Sequence, residues 1–281
     1  MFAALGDTQD ISDAGLQRIE DLIAQINTRQ PEFTIHIGEF KGGGDPCPDD
    51  YYQRVVSTLD QFQHPAIFTP GDNDWTDCAF LEQNSLERLN LLRSLIYSRN
   101  TTLGQEVLLL ERQSENPEYA QYPENARWQQ DGVHFATFHN VGTNNNLWSD
   151  PQATEEFLAR NQANLVWLEA TFDAAIQEEA KAVVVITHAN LDFAAVPWNP
   201  TGFDDFRKSL IEATVAFGKP VLLIHGDTHQ HKVDKPMKHQ GKTVATFTRL
   251  EVFGAPDLGV VYVHVEPNSE NVFRFEPSAM D

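Results

Sequence analysis

Four glycine-carboxylate steps stand along this chain, Gly6-Asp7, Gly38-Glu39, Gly71-Asp72 and Gly226-Asp227, each just after a short apolar run. Beside them lie Thr8-Gln9, Asn73-Asp74, Thr228-His229 and a separate Thr187-His188-Ala189-Asn190. Carboxylates, side-chain amides and imidazoles are the groups that hold divalent cations. A glycine ahead of a carboxylate allows a tight turn and a close backbone approach. Singly these signals are weak: Gly-Asp is a common turn, and Asn-Asp is more often a turn or helix cap. A lone histidine after an apolar strand is usually a hydrogen-bonded structural residue. Five such loops in order, each at a strand end, are hard to attribute to turn chemistry.

The elements that must position these loops alternate strand and helix patterns, which predicts α/β layering. Strands are expected at Phe2–Leu5, Phe33–Ile37, Ala66–Thr69, Val183–Ile186 and Val221–Ile224. Helical spacing appears over Ile11–Thr28, with Asp10 or Ser12 as cap, and over Tyr51–Phe62, Leu86–Tyr97, Glu155–Glu178 and Phe203–Phe217. Residues 127–141 read as a hairpin turning at Asp131-Gly132. Lys242–Thr248 and Val260–Val265 read as strands without intervening helices, in antiparallel company. Loops past the carboxyl ends of strands converge, and ligands bind there. No repeat or low-complexity linker divides the chain, so one domain over 1–281 is expected, with two packed sheets and helices outside.

Composition narrows the function. The net charge is -21, from 41 acidic against 20 basic residues, and no Lys/Arg cluster offsets it locally. Such a surface repels nucleic acid and anionic membranes, which leaves a small anionic substrate drawn in by bound metal. No apolar run approaches the roughly 20 residues that cross a bilayer. A strand this close to Met1, just ahead of Asp7, leads us to expect that a leader preceded it. Cys47 and Cys78 leave two readings open: two thiols, or a disulfide tying two of the polar loops together. The second points to an oxidising compartment, periplasmic or secreted, and the first is compatible with a cytoplasmic one.

The order of the loops resembles the five blocks of the calcineurin-like metallophosphoesterase superfamily: Asp-x-His, Gly-Asp, Gly-Asn-His, a lone His, and Gly-His-x-His. It covers Asp7 to His229. The runs Thr69-Pro70-Gly71-Asp72-Asn73-Asp74-Trp75-Thr76-Asp77-Cys78 and Val233-Asp234-Lys235-Pro236, with the block His225-Gly226-Asp227-Thr228-His229, resemble a bacterial, often exported branch of it. The resemblance implies a four-layer αββα sandwich of two mixed sheets flanked by helices, with two metals about 3.5 Å apart. By position it implies Asp7, Gln9, Glu39 and His229 around one metal. Glu39, Asn73, His188 and Asp227 would surround the other, with Glu39 bridging. Gln9, Glu39, Asp74 and Asp227 replace the superfamily's usual His, Asp, His and His. Glu39 also departs from the branch.

The implied activity is hydrolysis of phosphate mono- or diesters by in-line attack of metal-activated water. Asn73, His188 and Asp74 are the implied catalytic residues, Asp74 as leaving-group acid if its pKa is raised. The ligand set is rich in oxygen, which favours manganese, magnesium or calcium over zinc, with iron an alternative. Its three carboxylates against two divalent cations leave about +1 at the centre. His139, Asn145 and Trp75 are candidate lining of the substrate cleft, and Asn190 and Asp192 candidate partners that orient His188. The competing expectation is a relative that binds metal or ligand without hydrolysing it. A Rossmann-type nucleotide binder is disfavoured, because no Gly-x-Gly-x-x-Gly follows the first strand.

Overall fold

The structure is a computed structural model and describes residues 1–281 except 149, 195–199, 270 and 281. The fourteen strands described are β1 Phe2–Leu5, β2 Thr34–His36, β3 Ala66–Phe68, β4 Glu111–Arg112, β5 Ala126–Gln130, β6 Val133–Thr137, β7 Ala182–Ile186, β8 Val221–His225, β9 Lys232–Asp234, β10 Lys238–His239, β11 Lys242–Thr243, β12 Phe247–Glu251, β13 Gly259–Val265 and β14 Phe273–Ala279. They form a sheet of order β14-β13-β1-β2-β3, a sheet of order β4-β5-β6-β7-β8-β12-β9, and a small β10-β11 ribbon. In the first sheet β1, β2 and β3 run parallel. In the second, β6, β7, β8 and β12 do. The carboxyl ends of these strands feed the polar loops of the sequence.

Burial explains the layering. Phe2, Ala4, Phe33, Ile35 and Val261 of one sheet pack face to face with Phe135, Val184, Ile186, Leu222 and Leu250 of the other. The outer face of the first sheet is covered by helices Asp13–Arg29, Asp49–Leu59 and Ser85–Ile96. That of the second is covered by helices Pro151–Gln177 and Asp204–Phe217. The result is the four-layer αββα sandwich. In the first helix Leu16, Ile19, Leu22, Ile23 and Ile26 are buried, and the Ser12 hydroxyl accepts from the Gly15 N–H as its cap.

One expectation needs correction. The stretch Lys242–Thr248 is not one antiparallel strand: β11 pairs with β10, and β12 lies parallel to β8, with Phe247 opposite Val221. The chain leaves β8 and runs down the open edge as β9. It then re-enters between the two, where Leu250 packs between the sheets and Phe247 packs on the helix side of the second sheet. The strand β14 escapes the sequence pattern because Pro277 interrupts it, which an edge position tolerates. Cys47 and Cys78 form a disulfide, joining the stretch after Glu39 to the 3₁₀ helix Thr76–Leu81. Among the described residues no helix is long and apolar enough to cross a membrane.

Candidate metal centre

Six strand ends meet at one place. Asp7 follows β1, Glu39 follows β2, Asp72 follows β3, Gly142-Thr143 follow β6, His188 follows β7, and Asp227 and His229 follow β8. Backbone bonds stitch the loops, Asp7 N–H to Gly38 O at 2.9 Å and Gln9 N–H to Glu39 O at 3.2 Å. Glu39, Asp72, His188 and Asp227 offer ligand atoms that all lie within 4.8 Å of one another, and so do Asp7, Glu39 and His229. Glu39 belongs to both groups.

Each imidazole is oriented by its far nitrogen. His188 Nδ1–H donates to Ile37 O at 2.8 Å, which aims Nε2 at Asp72 Oδ1 (3.0 Å) and Glu39 Oε1 (3.3 Å). His229 Nδ1–H donates to Ala255 O at 2.8 Å, which aims Nε2 at Glu39 Oε2 (3.2 Å) and the Gln9 carboxamide. A half-turn of that carboxamide presents its oxygen to the same point. This is the arrangement by which proteins fix a metal-binding histidine. Asp7 Oδ1 is buried with no hydrogen-bond partner, an orphan acceptor that a cation would satisfy.

The backbone is held in an unusual state here. Asp7, Glu39, Asp227 and His229 all have φ between 50° and 75°, in the left-handed region that costs a non-glycine residue about 1–2 kcal/mol. Two glycines are sterically obligatory. A β-carbon on Gly226 would lie 2.2 Å from Asp7 Oδ2, and one on Gly142 would lie 2.5 Å from both Asp72 Oδ1 and Asp227 Oδ1.

The metal-free electrostatics follow from burial and crowding. Burial drives the Asp7 carboxyl well above its usual range, with Glu39 and Asp227 adding to it. Burial also raises Asp227 to about 6. Burial would raise Glu39 too, but His188 beside it holds it below the usual carboxylate range. Burial would lower His188, yet Glu39 and Asp72 push it well above normal. His229 is raised to about 9, chiefly by its hydrogen bond to Glu39.

The turn after β3 corrects the expected roles of Asn73 and Asp74. Its three polar side chains point three ways. Asp72 faces His188. Asn73 Oδ1 and Asp77 Oδ2 each lie 2.9 Å from where a β-carbon on Gly43 would sit. Asp74 is fully buried, and its oxygens accept from Glu39 N–H (2.9 Å), Phe40 N–H (3.0 Å) and Gly71 N–H (2.7 Å). Asp74 is therefore a clasp between two loops, walled off from substrate, although burial raises it to about 7. Asp72, not Asn73, lies with Glu39, His188 and Asp227 in the group that could hold the second metal. The superfamily block has its ligand directly after glycine, and the residue directly after Gly71 is Asp72. We expect Asp74→Ala to lower the unfolding free energy by about 3–5 kcal/mol, because it orphans three buried N–H groups. Asp74→Asn should cost less. Urea unfolding within about 1 kcal/mol of wild type for the alanine variant would dismiss the clasp.

His139, Trp75 and Asn145, expected in the substrate cleft, are all fully buried. His139 Nδ1 lies 2.7 Å from Glu124 Oε1, its ring 5.5 Å from that of Trp75. Asn145 Oδ1 accepts from Val141 N–H and the Arg160 guanidinium. These residues support a feature the sequence does not announce. Thr143, Asn144, Asn145 and Asn146 form a turn with φ of 51° to 63°, all left-handed. From it the Gly142 N–H donates to Asp72 Oδ1 (3.1 Å) and the Thr143 hydroxyl donates to Asp72 Oδ2. Asn190 donates its N–H to Asp227 Oδ2 (3.0 Å), so it steadies Asp227 rather than His188.

A family model described as calcineurin-like phosphoesterase matches residues 1–231. No curated protein matches the chain in sequence. Among solved structures the chain is similar to a dimetal phosphatase from Danio rerio, with TM-score 0.58 and 10% identity over 93% of this chain and 91% of that one. It is also similar to GAP50, the anchor in the inner membrane complex of Plasmodium, with TM-score 0.50 and 10% identity over 100% and 88% of the two chains. A 5′-nucleotidase from Candida albicans aligns with TM-score 0.53 and 12% identity over 100% of this chain and 50% of that one. At these identities the likeness is one of fold.

Proposed function

The chain belongs to the calcineurin-like phosphoesterase family, and from that premise we propose that it is a metal-dependent hydrolase of small phosphate esters. The supporting observation is the pair of imidazoles, His188 and His229, each holding a backbone carbonyl with Nδ1 and aiming Nε2 at the shared Glu39. Asp7, Gln9, Glu39 and His229 would hold one divalent cation, and Glu39, Asp72, His188 and Asp227 the other. When bound, such cations supply Lewis acidity toward phosphoryl oxygens and lower the pKa of a water. Oxygen donors outnumber nitrogen donors, so manganese, magnesium or calcium should be favoured over zinc.

The residues of the chain then orient and exclude. Gly142 and Thr143 fix the Asp72 carboxylate, Asn190 fixes Asp227, and the Asp74 clasp holds the Glu39 and Gly71 turns in register. Asn73 follows Asp72 where the family pattern has histidine, and a carboxamide donates no proton to a leaving group. Substrates whose leaving group departs unprotonated, such as aryl esters, should therefore react best. The Cys47–Cys78 disulfide favours a periplasmic or secreted setting.

The lack of an acid at Asn73 also supports a second reading, a relative that binds metal without turnover. To separate them, the protein is stripped with chelator and reloaded with manganese, magnesium, calcium or zinc. It is then assayed on aryl phosphate mono- and diesters. Hydrolysis that returns with a metal and is lost in Asp7→Ala supports the enzyme. Two bound metals with no turnover on any ester would reverse the order of the readings.

A further inference from the structure

The number of carboxylates at the centre bears on which phosphate esters it accepts. Asp7, Glu39, Asp72 and Asp227 all belong to the two candidate ligand groups. With Asp72 in place of Asn73 the carboxylates number four, and against two divalent cations they leave no net charge. Selectivity between a phosphate dianion and a monoanion depends on that quantity. A positive centre attracts the dianion twice as strongly, whereas a neutral one gives the second negative charge no advantage.

The surroundings do not restore a positive field. Lys41 is buried, its ammonium donates to Gly42 O (2.8 Å) and Asn73 O (2.9 Å), and its charge is offset by the nearby Asp74, Asp45 and Asp77 carboxylates. Arg160 is spent on Glu156 and Asn145, Arg207 on Asp204 and the Leu191 carbonyl, and Arg249 on Asp234. The undescribed residues 149, 195–199, 270 and 281 contain no lysine or arginine. Asp77, beside Asn73 at Gly43 and backbone-bonded to Asp72, adds another acid nearby. The chain as a whole carries -21.

Resting on the metal-centre reading above, we propose that the substrates are phosphodiesters, which present a monoanionic phosphoryl group, and that monoester dianions are excluded by the four-carboxylate ligand set. Asp72 is the residue that sets this preference. Where the family pattern has a neutral asparagine directly after glycine, this chain has a carboxylate that removes one unit of positive charge.

The test uses the manganese-loaded protein near pH 8, with bound metal counted by elemental analysis. Expected for the wild type are two metals per chain, at least about tenfold higher kcat/KM on bis(4-nitrophenyl) phosphate than on 4-nitrophenyl phosphate, and weak calorimetric binding of inorganic phosphate. Asp72→Asn should bind inorganic phosphate about tenfold tighter and move the monoester-to-diester ratio at least about fivefold toward the monoester. If Asp72→Asn does not keep its metals, Asp77→Asn should shift phosphate binding in the same direction by a smaller factor. A wild type without bound metal would remove the metal centre and this inference with it. Two bound metals with the monoester preferred, or unchanged phosphate binding in a metal-loaded Asp72→Asn (in Asp77→Asn if the former loses metal), would overturn the diester assignment alone.

Discussion

Glu39→Ala is expected to bind less than one metal per chain and to lose hydrolysis by roughly a thousandfold or more, while circular dichroism shows a folded protein. Glu39 is the one carboxylate common to both ligand groups, with Oε1 3.3 Å from His188 Nε2 and Oε2 3.2 Å from His229 Nε2. Removing it takes a donor from each position at once, so neither cation is retained by the donors left. A metal pair supplies several kcal/mol of charge stabilisation, and each 1.36 kcal/mol is about tenfold in rate, which sets the size of the loss. Glu39→Asp is the informative companion. It restores the residue usual at this place in the superfamily, but withdraws the carboxylate by one methylene from imidazoles whose positions are fixed by Ile37 O and Ala255 O. The turn cannot follow, because Asp74 holds the Glu39 N–H. We expect metal affinity to fall roughly 10–100-fold, as for other misoriented ligands, without vanishing. Full metal occupancy and near-normal turnover in Glu39→Ala would sink the bridging role.

The sandwich was legible because its cues are local. The 3.6-residue spacing of Leu16, Ile19, Leu22, Ile23 and Ile26, the unbroken Val183–Ile186 run and the Asp131-Gly132 hairpin each specify one element. The loops were legible because parallel strands deliver their carboxyl ends to one edge, so residues as distant as Asp7 and His229 could be grouped in advance. Side-chain direction within a turn was not. Asp72, Asn73 and Asp74 are adjacent and all polar, and the fold sends one to His188, one to Gly43 and one to backbone N–H groups. His139 and Asn145 looked like cleft residues because their partners, Glu124 and Arg160, lie 15 positions away, and such pairing has no periodic signature. The left-handed turn at Thr143–Asn146 is an Asn-rich run that reads equally as an exposed loop. Tertiary bonds to Arg160, Glu156 and Gly202, buried or partly buried, make it a platform.

Between about pH 6.5 and 9 the metal-free protein is expected to lose stability as pH rises, by roughly 2–3 kcal/mol, and saturating manganese should abolish that loss. In the folded metal-free state His229 titrates at about 9, raised by its hydrogen bond to Glu39, and His188 is held well above its normal range by Glu39 and Asp72. Burial raises Asp74 to about 7, and lifts Asp7 well above the carboxylate range. Each of these groups keeps its proton to a higher pH when folded than when unfolded. Its stabilising contribution is therefore complete below the unfolded pKa and is lost as pH climbs through the folded one. The buried His36, His64 and His225, depressed to about 3, 4 and 4 by desolvation, have the opposite sign. Their unfolded counterparts are half deprotonated at about pH 6.5 and almost wholly so by about pH 7.5, so the three together offset only about 1 kcal/mol of the loss, all of it in the lower part of the range. The His229 shift would be worth about 3 kcal/mol if fully shielded, and its partial exposure trims that figure. Divalent metal binds the deprotonated ligands, so it releases these protons on binding and stabilises the folded state more strongly as pH rises. Urea unfolding of the chelator-treated protein at pH 6.5 and 9, with and without manganese, reads both slopes. A metal-free protein that is more stable at pH 9, or one indifferent to manganese, would show that these side chains are not the proton-loaded, cation-ready cluster described above.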